Sequence, residues 1–286
     1  MSETQGTSGV RTGRTPRVSV VVPAFNNAEF IEATLESILT QTYRDFELIV
    51  ADHASTDDTW NLIQRYGADP RVRVAGTEAG GGAQRNWNRV TSLARGELIK
   101  LVCGDDLLYP EILERQVAAL DAGGDGVVMV ASSRDLIDAR GRVVLRNLGL
   151  RGVPERMPGL EAIRRSVLAG ANIFGEPCCV LLRTTALDTI GGWQGEHGYH
   201  IDQLTYARVL MSGDLVTTPG PLAAFRINAG QWSVRLAKVQ ASSARQVHAL
   251  LAVEAPGLLS RRDIRVANAR ARLRSIQRRL VYRFLI

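Results

Sequence analysis

The amino-acid sequence predicts an α/β fold: a mostly parallel central sheet with helices on both faces, followed by a C-terminal helical extension. Three observations carry the prediction. Short β-branched runs alternate with segments of helical periodicity from Arg17 to Ala131, the pattern of parallel strands joined by crossover helices. Three strand ends are polar, Pro23 to Asn26, Asp52 and Asp105-Asp106, and such a sheet gathers its strand ends along one edge where ligands bind. After the last strand the chain becomes basic and amphipathic.

In order along the chain, Arg17 to Pro23 is a β-branched run closed by Pro, a buried strand stopping at a turn. Ala28 to Gln41 places Phe30, Ile31, Leu35, Ile38 and Leu39 at helical spacing. Phe46 to Asp52 is a second buried strand, and Ser55 to Thr59 opens a helix reaching Tyr66. Val72 to Ala75 is a third strand. Gly80-Gly81-Gly82 leads into a helix over Ala83 to Ala94, and Glu97 to Cys103 is a strand running into Gly104-Asp105-Asp106. A helix over Pro110 to Leu120 and a strand over Gly126 to Ala131 follow. Beyond Asp135 the pattern loosens. Asp138 to Gly141 reads as a hairpin turn; Glu161 to Leu168, Thr184 to Ile190 and Asp202 to Met211 as helices; Pro177 to Arg183 and Leu222 to Ile227 as strands.

The bulk numbers narrow the function classes. Of the 286 residues, 45% are apolar and 22% charged, as in an ordinary globular protein, and no apolar run reaches the roughly 20 residues of a membrane span. The polar segment 1–16 reads as a disordered leader without the apolar stretch of a secretory signal. Cys103 and the adjacent Cys178 and Cys179 form no CxxC pattern, which argues against a disulfide framework or a zinc site and fits a cytoplasmic protein. Residues 261–286 hold nine Arg and one Asp, a local +8 against +6 for the whole chain, so the body is slightly acidic and a nucleic-acid-binding core is disfavoured.

Asp105 and Asp106 at a strand end offer hard oxygen ligands for Mg or Mn, and a divalent cation there would neutralise a diphosphate leaving group. The alternative is an acidic turn with two solvated carboxylates. Asp52 is placed to accept a hydrogen bond from a base N–H, or to cap a helix. Arg85 after the glycine cluster is placed to reach a phosphate, or is a surface Arg. Phe25 is placed to stack on a base, or is core.

The ordered segments Val18 to Asn26, Leu35 to Tyr43, Phe46 to Asp57, Arg85-Asn86, Ala94 to Glu97, Gly104 to Asp106 and Ile190 to Trp193 resemble the family-2 glycosyltransferases of the GT-A fold. The resemblance runs from Val18 to about Trp193, and more loosely to Ser233. It implies a nucleotide-binding half over 17–131 and an acceptor half over 132–235; the basic, amphipathic residues beyond it read as a helical extension over 236–286. It implies that Pro23, Phe25 and Asn26 line a nucleotide pocket, that Asp52 contacts uracil or thymine, and that Arg85 and Asp105 lie near the diphosphate. Asp105 and Asp106 would be the metal carboxylates and Asp202 the catalytic base of an inverting transfer from a UDP- or dTDP-sugar. The acceptor would be a glycan, a lipid-linked saccharide or a small molecule, with Glu176, His197 and His200 as candidate contacts.

Three positions depart from the family pattern. His53 stands where a second Asp is frequent, Cys103 where the first acid of the metal motif often sits, and Asn228 where many relatives carry a His. These departures keep a non-catalytic nucleotide-sugar-binding relative in view. A nucleotidyltransferase is disfavoured because Pro23 to Asn27 lacks the basic, Gly-rich loop that a triphosphate needs. In the tail, Leu273, Ile276, Leu280 and Phe284 repeat at helical steps between Arg residues. The two readings are a helix lying on the inner face of the cell membrane and a docked helix or oligomer contact.

Overall fold

The computed structural model describes residues 15–195, 198–228, 230–236 and 238–285. The leader over 1–14 lies outside them. The first half alternates as expected: β1 (Val18–Ala24), α1 (Ile31–Leu39), β2 (Phe46–Asp52), α2 (Thr59–Arg65), β3 (Val72–Gly76), α3 (Gly82–Thr91), β4 (Leu98–Leu101), the two-residue β5 (Leu107–Leu108), α4 (Ile112–Gly123) and β6 (Val127–Ile137). Every residue of β1 and β2 is buried, which is why both read as continuous apolar runs and not as alternating ones. Helix α1 buries Ile31, Leu35 and Ile38 on one stripe.

The second half comprises β7 (Val143–Leu148), β8 (Arg156–Met157), α5 (Gly159–Ala169), β9 (Val180–Arg183), α6 (Thr184–Thr189), α7 (Ile201–Leu210), β10 (Asp214–Arg226), α8 (Trp232–Arg235), α9 (Gln240–Glu254) and α10 (Arg261–Leu285). One curled sheet joins both halves in the order β3-β2-β1-β4-β9-β6-β10-β5, with β7 added to β6 and β8 to β10. Most of its ladder is parallel: β1 pairs with β2 and β4, β2 with β3, and β6 with β10. Strand β9 is antiparallel to both neighbours, β4 and β6. Helices pack around the sheet.

Register explains why the polar strand ends meet. Ala24 is level with Asp52, and Asp52 with Gly76, so β1, β2 and β3 finish together. Val21 pairs with Leu101, which carries the segment after β4 to the same edge. At the opposite edge, buried Glu47 is held by Ser19 Oγ at 2.7 Å and by the Arg95 guanidinium at 2.8 Å, and a Cβ on Gly96 would come within 2.5 Å of the Ser19 nitrogen. The Ala94-Arg-Gly-Glu97 segment is therefore scaffold.

Several boundaries differ from the sequence reading. The expected strand over Pro177 to Arg183 begins as a 3-10 turn over Pro177–Cys179, because Pro cannot donate to a ladder, and only Val180–Arg183 pairs. Strand β10 starts at Asp214, well before Leu222. Pro219-Gly220-Pro221 reads as a break, but register shifts absorb it and the strand continues past. The expected turn over Asp138 to Gly141 leads into β7, whose residues show no strand pattern, and the expected helical extension over 236–286 divides into α9 and α10.

The tail forms one long helix, and its docked side differs from its apolar stripe. Helix α10 packs on α9 and α5 through buried Ala267, Ala271 and Ser275, while Leu273, Ile276 and Leu280 stay exposed. Small residues let the helix approach closely, so the larger apolar residues are left outward. The side chain of Phe284 lies outside the described residues. No helix among the described residues is long and apolar enough to cross a membrane.

Candidate active site

A cavity of about 1450 Å³ opens at the carboxyl edge of β1, β2 and β4 and extends past α5 and α7 to α10. Of the sequence-derived candidates, Pro23, Phe25, Asn26, Asp105, Glu176, His200 and Asp202 line it. Asp52, Arg85 and Asp106 are not on its wall. His197 lies outside the described residues.

Beyond β1 the chain turns through Asn26, whose backbone is left-handed (φ 51°), a conformation Asn tolerates because its short amide bonds locally. The Asn26 N–H donates to Ser55 Oγ at 2.9 Å, and its Oδ1 accepts the Thr56 N–H at 2.8 Å. The Ala28 N–H donates to Asp57 Oδ2 at 3.0 Å. Ser55, Thr56 and Asp57 thus hold this turn. The Phe25 ring remains 51% exposed at the cavity wall, offering an aromatic face.

At the end of β2, Asp52 Oδ2 accepts the Ser55 N–H at 3.0 Å, while its Oδ1 is buried without a partner. An unpartnered buried polar atom costs about 1–3 kcal/mol, a cost that a ligand N–H would remove. His53 Nε2 lies 2.8 Å from the Gly80 carbonyl and fastens the glycine loop. Gly80, Gly81 and Gly82 are all left-handed, with φ of 92°, 74° and 63°, which explains the glycine run. Arg85 braces this loop from outside: its guanidinium donates to the Ala79 carbonyl at 3.0 Å and pairs with Glu78 at 3.1 Å. The next residue, Asn86, reaches the cavity and donates to the Ala24 carbonyl at 3.2 Å.

Asp105 and Asp106 are positioned by Arg226 and Asn228 at the end of β10. Asp105 Oδ2 accepts from Asn228 Nδ2 at 3.1 Å, and Asp106 Oδ1 from the Arg226 N–H at 3.1 Å. The Arg226 side chain donates through Nε to the Asp105 carbonyl at 2.8 Å and through Nη1 to the Asp138 and Ala139 carbonyls at 3.2 and 3.1 Å. Its guanidinium lies 4.7 Å from the centre of the Phe30 ring. Burial raises the Asp105 carboxyl to about 6, against the lowering effects of the Asn228 bond and the Arg226 charge. Burial, with the adjacent Asp105 charge, pushes Asp106 well above the usual carboxylate range. Gly104 is needed where it stands, since a Cβ there would come 2.7 Å from Asn27 Oδ1. Asn27 Oδ1 accepts the Phe25 N–H at 2.8 Å, so Gly104→Ala should disturb both polar turns. The expected loss is about 1–3 kcal/mol of stability, read by thermal unfolding, together with weakened nucleotide binding.

On the far side of the cavity, Asp202 occupies the first turn of α7. Asn172 Nδ2 donates to its Oδ2 at 2.7 Å and to the Gly175 carbonyl at 2.7 Å. Burial raises the Asp202 carboxyl to about 6, with the charge of Glu176 adding to the rise. Glu176 itself is paired with Arg134, whose Nη2 donates to Oε1 at 3.0 Å and whose Nε also contacts it. His200 Nδ1 lies 2.9 Å from Ser243 Oγ, tying the segment before α7 to α9.

The sequence reading assigns no role to the positioning residues Arg226, Asn172, Arg134 and Asn86. Asn86 left a signal in the Arg85-Asn86 segment, and Arg226 as a lone cation inside the apolar run Leu222 to Ile227. Cys103 lines the cavity, and burial pushes its thiol well above the usual range, which disfavours a thiolate ligand. Among the described residues no three His, Cys, Asp or Glu side chains are grouped to hold a metal ion. Two carboxylates are present, and Asp106 Oδ2 is buried without a partner. That suits a hard cation whose remaining ligands are substrate oxygens and water.

Comparison with known proteins places this geometry. The model of "Glycosyl transferase family 2" matches residues 19–191. The uncharacterized protein MT1568 of Mycobacterium tuberculosis is 30% identical over 228 residues, which is 77% of this chain and 70% of that protein. The S. aureus TarS 1-349 structure in complex with UDP-GlcNAc superposes with a TM-score of 0.68 at 21% identity, covering 91% of this chain and 73% of that one. The mannosyltransferase PcManGT of Pyrobaculum calidifontis, in complex with GDP-Man and Mn2+, gives 0.64 at 21% identity over 91% of this chain and 70% of that one. At such identities the two structures establish the GT-A type of fold. Matched over more than half its length, and in the order in which its sequence segments run, the chain belongs to glycosyl transferase family 2.

Proposed function

We propose that the protein transfers a hexose or deoxyhexose from a UDP- or dTDP-sugar to an acceptor hydroxyl, with inversion, in the synthesis of a polysaccharide, lipid-linked saccharide or other glycoconjugate. The observation that carries this reading is the cavity shared by Asp105 and Asp202. It presents one carboxylate for the donor and a second, proton-accepting carboxylate for the acceptor.

Phe25 stacks on the base, and the free Oδ1 of Asp52 accepts the N3–H of uracil or thymine. Pro23 and Asn26 shape the pocket, and Arg85 keeps the glycine loop in place beside the diphosphate. Asp105, with the unpartnered Oδ2 of Asp106, would hold Mg or Mn, which neutralises charge on the departing diphosphate. Asp202 accepts the proton of the acceptor hydroxyl as its oxygen attacks the anomeric carbon. The bond from that carbon to the diphosphate oxygen breaks on the opposite side. Asn172 holds Asp202 in place at 2.7 Å. Glu176 and His200 border the acceptor side, and the proposal also includes His197, three positions before His200 in the sequence. That TarS was crystallised with UDP-GlcNAc and PcManGT with Mn2+ supports a nucleotide-sugar donor and a divalent cation.

The donor assignment is tested by thermal shift across UDP-, dTDP- and GDP-sugars, with and without Mn2+. A donor at about 100 times its Kd stabilises by about 2.7 kcal/mol, several degrees in Tm. The expected result is a shift with a UDP- or dTDP-sugar that Asp52→Asn diminishes. A shift confined to GDP-sugars would overturn the base assignment.

A further inference from the structure

The cavity is lined by charges of both signs. Besides Asp105, Glu176 and Asp202, its wall carries five arginines from four parts of the chain. Arg151 follows β7, Arg165 lies on α5, Arg235 ends α8, and Arg274 and Arg278 are one turn apart on α10. Elsewhere the protein pairs its arginines with acids, as in Arg71–Asp69, Arg95–Glu47, Arg156–Asp214 and Arg208–Glu254. None of the five wall arginines forms an ion pair among the described residues.

Backbone carbonyls aim two of them. Arg165 Nη2 donates to the Gly152 carbonyl at 2.6 Å, and Arg274 Nε to the Ala169 carbonyl at 2.8 Å. These bonds orient the guanidiniums without neutralising them. Arg278 Nε is buried with no partner, whereas Arg151 and Arg235 are exposed and their guanidiniums make no hydrogen bond among the described residues. Like charges gathered on one wall repel, and the fold supplies no carboxylate to offset them. An anion with several oxygens matches the wall, because guanidinium forks engage phosphate bidentately.

The wall also lies on the acceptor side. Arg274 holds the Ala169 carbonyl at the end of α5, and three residues further on Asn172 holds Asp202. The donor diphosphate belongs at Asp105, on the segment after β4. We propose that the acceptor is a phosphate-bearing saccharide, and that its phosphate or diphosphate is gripped by Arg151, Arg165, Arg235, Arg274 and Arg278 so that a sugar hydroxyl reaches Asp202. This rests on the reading of Asp202 as the acceptor-side base.

The test uses the full chain saturated with UDP and Mn2+, with inorganic pyrophosphate as the probe and thermal shift and calorimetry as readouts. Pyrophosphate is expected to stabilise the UDP-loaded protein further. The double variant Arg151→Gln/Arg235→Gln alters two exposed side chains that hold nothing in place, so it should fold normally. It should bind pyrophosphate at least about tenfold more weakly, the loss of two exposed charge-assisted contacts. Arg278→Gln should weaken it as well. A UDP shift with no added pyrophosphate shift, or with a pyrophosphate shift undiminished in these variants, overturns this assignment and leaves the donor reading standing. Absence of any UDP shift overturns both. The source of the phosphate is read by replacing pyrophosphate with farnesyl diphosphate. Tighter binding of the isoprenoid supports a lipid-borne diphosphate, to which the exposed Leu273, Ile276 and Leu280 would add contact. Equal binding supports a soluble phosphorylated saccharide.

Discussion

Asp202→Asn is expected to lower kcat for sugar transfer by about 10²- to 10⁴-fold, the usual contribution of a positioned general base. Asparagine keeps the shape and can still bond Asn172, but it cannot take a proton. Donor affinity should be unchanged, because Asp202 lies on the acceptor side. The pH dependence follows from the same carboxyl. Its value of about 6, up from 3.8, is caused first by burial and then by the charge of Glu176, against the bond from Asn172. Cys103 and Tyr206 are the other titratable groups near it, and burial keeps both protonated. A base must be ionised to act, so kcat should be level above about pH 7 and fall as pH drops through about 6. Burial raises the Asp105 carboxyl as well, but the loss of its charge should appear in the donor KM. Measuring kcat at saturating donor separates the two. An Asp202→Asn enzyme with wild-type kcat would remove Asp202 from the chemistry.

Arg226→Ala should be the most damaging change outside the reacting groups. The side chain is buried, at 4% exposure, and donates to the carbonyls of Asp105, Asp138 and Ala139 while lying over Phe30. Alanine leaves the Asp105 and Ala139 carbonyls without a donor, takes one of two donors from the Asp138 carbonyl, and opens a void beside Phe30. Bonds from a charged donor contribute about 1.5–3 kcal/mol each in buried settings, and they are not additive. A loss of about 3 kcal/mol, or about 5 °C in Tm for a chain of this size, is expected. UDP-sugar binding should weaken in parallel, because Asp105 loses the clamp on its own backbone. Arg226→Lys should not restore it, since one ammonium cannot span carbonyls on two separate loops. Calorimetric unfolding and donor titration of the two variants check both expectations.

These effects divide what was legible in the sequence from what was not. The strands were legible because a parallel strand buried on both faces must be a continuous apolar run, and Val18 to Ala24 and Phe46 to Asp52 are such runs. The polar strand ends were legible because a parallel sheet gathers its carboxyl ends. The family segments, though, mix two kinds of residue that a linear reading cannot sort. Arg95 and Gly96 serve Glu47 and Ser19 at the opposite edge. Trp193 packs beneath α3, accepting through its carbonyl from Gln84 at 3.0 Å and Asn88 at 2.9 Å. Arg85 proved to be a brace on the glycine loop. Strand β7 was illegible because its side chains stay largely exposed, which removes the period-two contrast that marks a half-buried strand.

By itself, then, the sequence determined the α/β alternation, the glycine loop, the acidic pair and the family, since each rests on local propensity or on a short ordered pattern. Only the tertiary structure decided that Asn172 holds Asp202 across 30 positions, that Arg226 clamps Asp105 across 121, and that the basic tail brings Arg274 and Arg278 to the mouth of the cavity. It also decided which face of the C-terminal helix is docked. The exposed stripe of Leu273, Ile276 and Leu280 is the more apolar one, but the buried stripe of Ala267, Ala271 and Ser275 is the one small enough to let α10 lie against α5 and α9. The physical reason is the same in each case. A hydrogen bond or a close helix contact depends on distance in space, and sequence separation carries no information about that distance until the sheet has set its register.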